Sequence, residues 1–114
     1  MVLTNIRMKI PPQKREEALR VLRYTAEGNR ILPGCLSFRI YEDLQEDNVI
    51  MVEEFWKSQE DLERHLRSDE YQKLLLIMEM ALQQPEIRFS RIAEESGIET
   101  IEKVRTKPSR GKKS

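Results

Sequence analysis

A change of hydrophobic period just after Trp56 constrains the fold more than any other feature of the sequence. Residues 49–56 are rich in β-branched and aromatic side chains, which is typical of a strand. Ser58 follows, and Asp61 stands three residues later, the spacing of a capping box at a helix start. The side chains that then recur at helical spacing are Leu62, His65 and Leu66. The sequence therefore predicts a strand that passes directly into a helix, with the single Trp on the strand and the single His on the helix.

Three more strands and further helical segments are predicted from the alternation of apolar and polar residues, from helix-capping residues and from residues that end helices, such as proline. The predicted strands are residues 2–10, 35–42, 49–56 and 86–92. A first helix is predicted over residues 13–27, and the central helix is expected to bend or restart at residues 68–70 and to stop before Pro85. The apolar stripe predicted for its second half is Tyr71, Leu74, Leu75, Met78 and Leu82. A spacing of three in residues 98–104 predicts a short C-terminal helix or an extended arm.

The resulting order, β-α-β-β-α-β, is that of the ferredoxin-like α+β fold, an antiparallel sheet with its helices on one face. The third predicted strand is apolar on both faces, with Val49, Met51 and Phe55 alternating with Ile50, Val52 and Trp56. On the second strand, Leu36, Phe38 and Ile40 are expected to share one face. Strands that are apolar on both faces imply a cover on each side. In so short a chain a partner sheet is the simplest second cover, so we expect a homodimer that packs through its sheet faces.

Length and charge suggest one domain with a basic tail. With 114 residues, the chain is expected to form one domain over residues 1–105, followed by a disordered tail over residues 106–114. Residues 1–102 hold all 20 acidic residues against 14 basic ones, a net charge of −6, and the last twelve residues carry +6. Such a tail could contact RNA, an anionic surface or the acidic body. A solvated tail is the simpler interpretation, because no nucleic-acid motif or aromatic interleaving accompanies it.

The lone Cys35 and the lack of long apolar runs indicate which cellular compartment to expect and whether to expect a metal site. No apolar run is long enough to span a membrane, and residues 1–10 lack the pattern of a signal peptide. A single Cys cannot form an internal disulfide, so a cytoplasmic protein is expected. Cys35 is expected to be a structural thiol rather than a nucleophile. With one Cys and one His, no metal site is expected.

Three short motifs lie near the predicted junctions of strands and helices. They are Pro33-Gly34-Cys35 before the second strand, Glu54-Phe55-Trp56 at the end of the third, and Leu62-x-x-His65-x-x-Ser68-x-x-Tyr71 on the helix. Together they resemble motifs of the antibiotic biosynthesis monooxygenase family of dimeric α+β barrels. The resemblance extends over residues 3–92 in order and spacing. It implies a homodimer and a cofactor-free oxygenase that acts with O2 on a small phenol- or quinol-type aromatic. Some members of the family instead degrade haem.

The haem-degrading relatives have an Asn on the first strand, a Trp on the helix and a proximal His about three turns further on. Asn5 matches the first of these residues. His65 stands where the Trp would be, and Leu75 stands where the His would be. Because Leu cannot ligate haem iron, haem degradation is not expected of this chain, and no cofactor is expected.

The resemblance and the side-chain chemistry together give a set of candidate site residues. His65 is the candidate catalytic base, since imidazole exchanges protons near neutral pH. Trp56 is the candidate stacking platform, and Asn5 the candidate hydrogen-bond partner of a substrate oxygen. The further candidates for a cavity between sheet and helices are Tyr41, Glu54 and Tyr71.

Each candidate also has a structural interpretation. His65 could be a core or interface residue, Trp56 a packing residue, and Glu54 the partner of Arg39 in an ion pair. Asn5 could lie at a sheet edge, and Tyr71 could only pack the helix. The alternative function is therefore a non-catalytic dimeric barrel that binds a small apolar ligand or only assembles.

Overall fold

A computed structural model describes residues 1–106, so all but the first residue of the predicted basic tail lies outside the described residues. The elements in chain order are β1 (Val2–Lys9), a 3₁₀ turn (Pro12–Lys14), α1 (Arg15–Asn29), β2 (Cys35–Glu42), β3 (Val49–Trp56), α2 (Gln59–Arg67), α3 (Tyr71–Glu79), β4 (Glu86–Arg91) and α4 (Ile98–Thr106). The restart predicted at residues 68–70 is confirmed, since α2 ends just before these residues and α3 begins just after them. The C-terminal segment is a helix rather than an extended arm.

The four strands form one sheet in the order β2-β3-β1-β4, and all neighbouring strands are antiparallel. In the register of the ladders, Ile6 of β1 stands between Val52 of β3 and Ile87 of β4. Helices α1 and α3 pack on the same sheet face, because buried residues of both belong to one cluster with the inner residues of β1 and β3. The predicted ferredoxin-like α+β fold is confirmed.

Alternation along β1 and β3 determines which side chains meet the helices, with one exception, Val49 at the start of β3, which is buried although it is odd-numbered. The even-numbered residues of both strands, from residue 2 to 8 and from 50 to 56, are all buried on the helix face. Half of them, Ile6, Met8, Ile50 and Val52, join the large cluster under α1 and α3. A smaller cluster of Val2, Trp56 and Leu62 lies at the other end of the same face. Glu54 stands on β3 between the two clusters.

Three sequence predictions differ from the structure. A β-bulge between Cys35 and Ser37 puts Leu36 out of register, so its side chain is 55% exposed and does not share a face with Phe38. Helix α1 lies two residues further along the chain than predicted. On α3, Tyr71, Leu74 and Met78 are buried as predicted, but Leu75 is exposed and Ile77 is buried, so the buried stripe includes the residue before Met78 rather than the residue after Leu74. Leu82 lies beyond the end of α3 and is also exposed.

None of the helices within residues 1–106 is both long and apolar enough to cross a membrane.

Candidate active site

The short connection from β3 to α2 brings Glu54, Trp56 and His65 together. Ser58 caps α2, and its hydroxyl oxygen accepts a hydrogen bond from the Asp61 backbone N–H at 3.1 Å, which confirms the predicted cap. Because the helix starts three residues after Trp56, its buried face, Leu62 and His65, lies against the end of β3. The sequence period thus places the single His over the single Trp.

Glu54 is the centre of a buried polar cluster. Its side chain is fully buried, and its Oε1 accepts a hydrogen bond from Trp56 Nε1–H at 3.1 Å. Its other oxygen, Oε2, lies 3.5 Å from His65 Nε2. The His65 ring stacks on the Trp56 ring with centroids 4.6 Å apart, and Tyr71 meets it edge-on at 5.1 Å. Four of the six predicted site residues therefore form one cluster.

This cluster is costly to bury, and it is incompletely paired. Within residues 1–106, four of its buried polar atoms have no hydrogen-bond partner. These atoms are Glu54 Oε2, His65 Nδ1, His65 Nε2 and Thr4 Oγ1. A carboxylate in the interior with a single conventional hydrogen bond destabilises a fold, as does an unpaired imidazole. Such a cluster is typical of a functional site rather than of a core optimised for stability.

Two neighbouring side chains are held in their protonated forms. Burial, and then the charge of Glu54, raises the pKa of the Cys35 thiol to about 11. The same two causes raise the pKa of Tyr71 to about 12. At neutral pH, Cys35 is therefore not a thiolate nucleophile and Tyr71 is not a base. His65 remains as the candidate base.

A small pocket of about 160 Å³ opens beside His65. It is lined by Leu32, Pro33, Trp56, Asp61, Arg64, His65, Ser68 and Glu70. This volume is close to the roughly 150 Å³ of a cavity that accommodates benzene, and it is below the range of about 300–1,000 Å³ for drug-sized ligands. The pocket therefore suits a single small ring.

The loop before β2 forms one wall of this pocket and approaches α2 closely. Gly34 has a φ of 82°, and a Cβ added to it would lie 2.2 Å from Asp61 Cγ. The Gly34 carbonyl accepts a hydrogen bond from the Lys57 N–H at 2.8 Å. Only glycine has both the left-handed conformation and the space at this position.

Titratable side chains from several elements lie near His65. The titratable neighbours are Glu54 on β3, Cys35 on β2, Tyr71 and Glu70 at the start of α3, and Asp61 and Arg64 on its own helix. Arg64 Nη1 donates a hydrogen bond to Asp61 Oδ1 at 2.9 Å, so these two charges pair with each other at the pocket rim. Within residues 1–106, no group of three or more His, Cys, Asp or Glu side chains is placed to hold a metal ion.

Asn5 and Tyr41 lie on the opposite face of the sheet from His65. Asn5 is an odd-numbered residue of β1 and pairs with Glu53 in the ladder, whereas the even-numbered residues point to the helices. The Tyr41 hydroxyl donates a hydrogen bond to Glu53 Oε1 at 3.1 Å. Arg39 is the ladder partner of Glu53, so the suggested Arg39–Glu54 ion pair is wrong as well. The prediction that Tyr41 reaches the cavity under the helices is wrong because Tyr41 faces the other way.

Thr4 was not among the sequence candidates, although the structure places it in the cluster. It stands directly across the ladder from Glu54, on the helix face, and is fully buried. The sequence signal is its place in the alternation, since Thr4 is the single polar residue in the inner series of β1, Val2-Thr4-Ile6-Met8. A lone polar residue in an otherwise apolar inner series indicates a buried polar contact.

Comparison with known proteins gives a family match and several similar folds. The profile of the family described as "Antibiotic biosynthesis monooxygenase" matches residues 1–75. An uncharacterised protein of Synechocystis is 32% identical over 88 residues, which cover 76% of this chain and 60% of that protein. The chain thus spans less than two thirds of this relative's length.

Solved structures with the same fold are more distant in sequence. A conserved protein from Methanosarcina mazei is 23% identical with a TM-score of 0.74, over 79% of this chain and 90% of that one. A structure described as an antibiotic biosynthesis monooxygenase is 19% identical with a TM-score of 0.74, over 82% of this chain and all of that one. At these identities the similarity establishes the fold.

Proposed function

Because the chain belongs to the antibiotic biosynthesis monooxygenase family, we propose that it is a cofactor-independent monooxygenase of a small phenol- or quinol-type aromatic. His65 is the base in this proposal, and the substrate ring occupies the adjacent pocket. The observation that carries the proposal is the position of His65, a buried imidazole on the wall of an apolar pocket that suits a single ring.

The chemistry requires a group that takes a proton from the substrate and later returns it, and a site that excludes water. His65 removes the proton of the phenol O–H, and the resulting phenolate supplies electrons to O2. A carbon–oxygen bond forms at a ring carbon bearing hydrogen. Transfer of that hydrogen as a proton to the outer peroxide oxygen and cleavage of the O–O bond then give a quinone and hydroxide. The proton held by His65 converts the hydroxide to water, so one phenol and one O2 yield one quinone and one water without an external reductant.

The pocket supports a single-ring substrate. Trp56 contributes to its wall, although one face of the indole is covered by His65. The loop residues Leu32 and Pro33 provide the apolar wall that excludes water. Because the pocket is close in volume to a cavity that accommodates benzene, we expect faster turnover of single-ring phenols than of fused-ring analogues.

A second, larger groove of about 520 Å³ runs along the outside of α1 and α3. It is lined by exposed side chains such as Tyr24, with Lys73 Nζ lying 4.8 Å from the centre of the Tyr24 ring. It lacks a buried acid–base group, so we assign the reaction to the smaller pocket beside His65.

His65→Ala tests the proposal directly. We expect turnover to fall by about 10²–10⁴-fold, the usual contribution of a general base. O2 consumption with a panel of single-ring phenols and hydroquinones is the measurement. Arg67→Ala is the matched control, because Arg67 lies on the same helix with an exposed side chain. Its turnover should equal that of the unaltered protein.

Unchanged turnover in a folded His65→Ala protein would remove His65 from the mechanism. Binding without O2 consumption would favour the alternative, a non-catalytic barrel for a small apolar ligand. The fluorescence of Trp56, the only Trp in the chain, reports binding in the same samples, so the two functions can be separated in one titration.

A further inference from the structure

Glu54 is close to His65 but is not part of the pocket wall. Glu54 does not line the pocket beside His65, and its side chain is fully buried behind the His65 and Trp56 rings. It therefore cannot contact a substrate in that pocket, although the sequence suggested a substrate-binding role. Its function must be exerted through the residues that it contacts.

The two carboxylate oxygens of Glu54 have different neighbours, Trp56 and His65. Oε1 accepts the hydrogen bond from Trp56 Nε1–H at 3.1 Å, which fixes the carboxylate on β3. Oε2 lies 3.5 Å from His65 Nε2, and within residues 1–106 neither of these two atoms has another partner. The separation is longer than a standard hydrogen bond, but a carboxylate and an imidazole shorten such a contact when the imidazole carries the proton.

We infer that Glu54 is a positioning residue, which keeps the proton of His65 on Nε2. Nδ1, a buried nitrogen without a hydrogen-bond partner within residues 1–106, then serves as the base for a ring that enters the pocket lined by His65. Stacking on Trp56 fixes the plane of the imidazole, and the carboxylate fixes which nitrogen carries the proton. After Nδ1 takes the proton of the phenol, the negative charge of Glu54 stabilises the imidazolium. This arrangement follows the logic of a carboxylate that orients a catalytic histidine, and it rests on the proposed function of His65.

Glu54→Gln is the informative substitution because it keeps the size of the side chain and removes its charge. A carboxylate offers two acceptor oxygens to the two donors, Trp56 Nε1–H and His65 Nε2–H, whereas an amide offers only one. One of the two donors must then face an NH2 group. We expect kcat to fall by about 10²-fold or more with KM nearly unchanged, since Glu54 does not line the pocket.

The matched control is Glu53→Gln. Glu53 is the next residue on β3, carries the same charge and points to the opposite face, where its carboxylate accepts the Tyr41 hydroxyl. It therefore reports the loss of one negative charge from β3 without a change at His65. We expect kcat and KM of this variant to match those of the unaltered protein.

A spectroscopic measurement tests the inference without any substrate. Since His65 is the only histidine, ¹⁵N-detected NMR of the imidazole gives one unambiguous pair of nitrogen signals. We expect a hydrogen-bonded Nε2–H proton in the unaltered protein and in Glu53→Gln, and a weakened or lost signal in Glu54→Gln. A neutral His65 that carries its proton on Nδ1 in the unaltered protein would overturn the inference, even if Glu54→Gln failed to fold.

The outcomes separate this inference from the proposed function. If no phenol is consumed by the unaltered protein, the proposed function fails, and the imidazole proton still decides whether Glu54 positions His65. If His65→Ala abolishes turnover while Glu54→Gln changes neither kcat nor the imidazole proton, His65 remains the base and the role of Glu54 is disproved.

Discussion

At the scale of single residues, one buried carboxylate shapes the chemistry of its surroundings. Glu54 lies on the inner face of β3, where all the other inner residues are apolar. Its charge contributes to the raised pKa values of two residues on different elements, Cys35 and Tyr71. The site is therefore electrostatically connected across β2, β3 and α3, although few of its groups are joined by hydrogen bonds.

These shifts predict a loss of stability at alkaline pH. The pKa of Cys35 rises from 9.0 to about 11 on folding, and that of Tyr71 rises from 10.0 to about 12. The unfolded chain therefore releases these protons at lower pH than the folded protein does. The free energy of unfolding should be constant with respect to both groups below about pH 9 and should fall between pH 9 and 12.

Urea denaturation at a series of pH values measures this fall. Tyr71→Phe should make the decline above pH 10 shallower, because it removes one of the two groups. Tyr24→Phe is the control, since Tyr24 is largely exposed, and its curve should parallel that of the unaltered protein. Equal slopes for the two variants would show that Tyr71 does not titrate as the structure indicates.

The same residues show why the candidate site was only partly predictable. Helical spacing and the cap at Ser58 were enough to place His65 over Trp56. Alternation also separated Asn5 from the even-numbered residues of β1, but it could not tell which face the helices cover. Because β3 has apolar residues on both faces, the pattern was ambiguous, and Tyr41 and Asn5 were included with the wrong set. The alternation marks Thr4 as the single polar residue of its series, but only the ladder shows that its partner is Glu54.

At the scale of elements, the boundaries follow local signals and the exceptions follow tertiary contacts. Strands β2 and β3 and the break between α2 and α3 lie where alternation and capping residues predicted them. The bulge at Leu36 has no sequence signal of its own, because it arises from the pairing of β2 with β3. Helix α1 continues past Gly28 to Asn29, whose side chain is buried, so packing overrides the expected helix stop.

The contact between the loop before β2 and α2 gives a prediction for stability. Gly34→Ala should destabilise the protein by at least about 1–2 kcal/mol, the cost of a left-handed conformation for an L-residue, with further loss from the collision with Asp61. Gly28→Ala is the matched control. It lies within α1 with nothing within 4 Å of the added Cβ, and it should stabilise the protein by about 0.5–1 kcal/mol.

Thermal or urea unfolding of the two alanine variants measures this difference. Opposite signs are the expected result, since the substitution is the same and only the backbone conformation and the surrounding space differ. A Gly34→Ala protein as stable as Gly28→Ala would mean that the loop is free to move away from α2. In that case the pocket wall would not be fixed by this contact.

At the scale of the whole molecule, the outer face of the sheet is less buried than the face under the helices. On β3 it carries the half-buried Met51 and Phe55 beside Glu53, whereas Val49 at the start of the strand is fully buried, so the apolar character expected for this face is present in part. The outer face of β2 is different, because Ser37, Arg39 and Tyr41 make it polar. A mixed face of this kind is suited to a partner that buries an apolar centre and pairs the charges around it.

We propose that a second copy of this chain covers the outer face, and this gives the last prediction. The apolar centre, Met51 and Phe55 on β3 with the neighbouring Leu3 on β1, is only partly buried in one chain, and its burial by an identical sheet would supply the main driving force for association. Phe55→Glu would place an unpaired carboxylate at that centre in both subunits. We expect this variant to sediment as a monomer at micromolar concentration and the unaltered protein to sediment as a dimer.

Leu44→Glu is the matched control for this experiment. It introduces the same acid in the loop between β2 and β3, at a side chain that is 95% exposed, so the dimer should persist. Phe55→Glu is expected to fold, because the Phe55 side chain is not part of the core under the helices. Circular dichroism shows whether each variant is folded. An unaltered protein that sediments as a monomer, or a folded Phe55→Glu protein that remains a dimer, would disprove association through the outer sheet face. Dimerisation through this face would leave the His65 pocket, which lies on the helix side of the sheet, complete within each subunit.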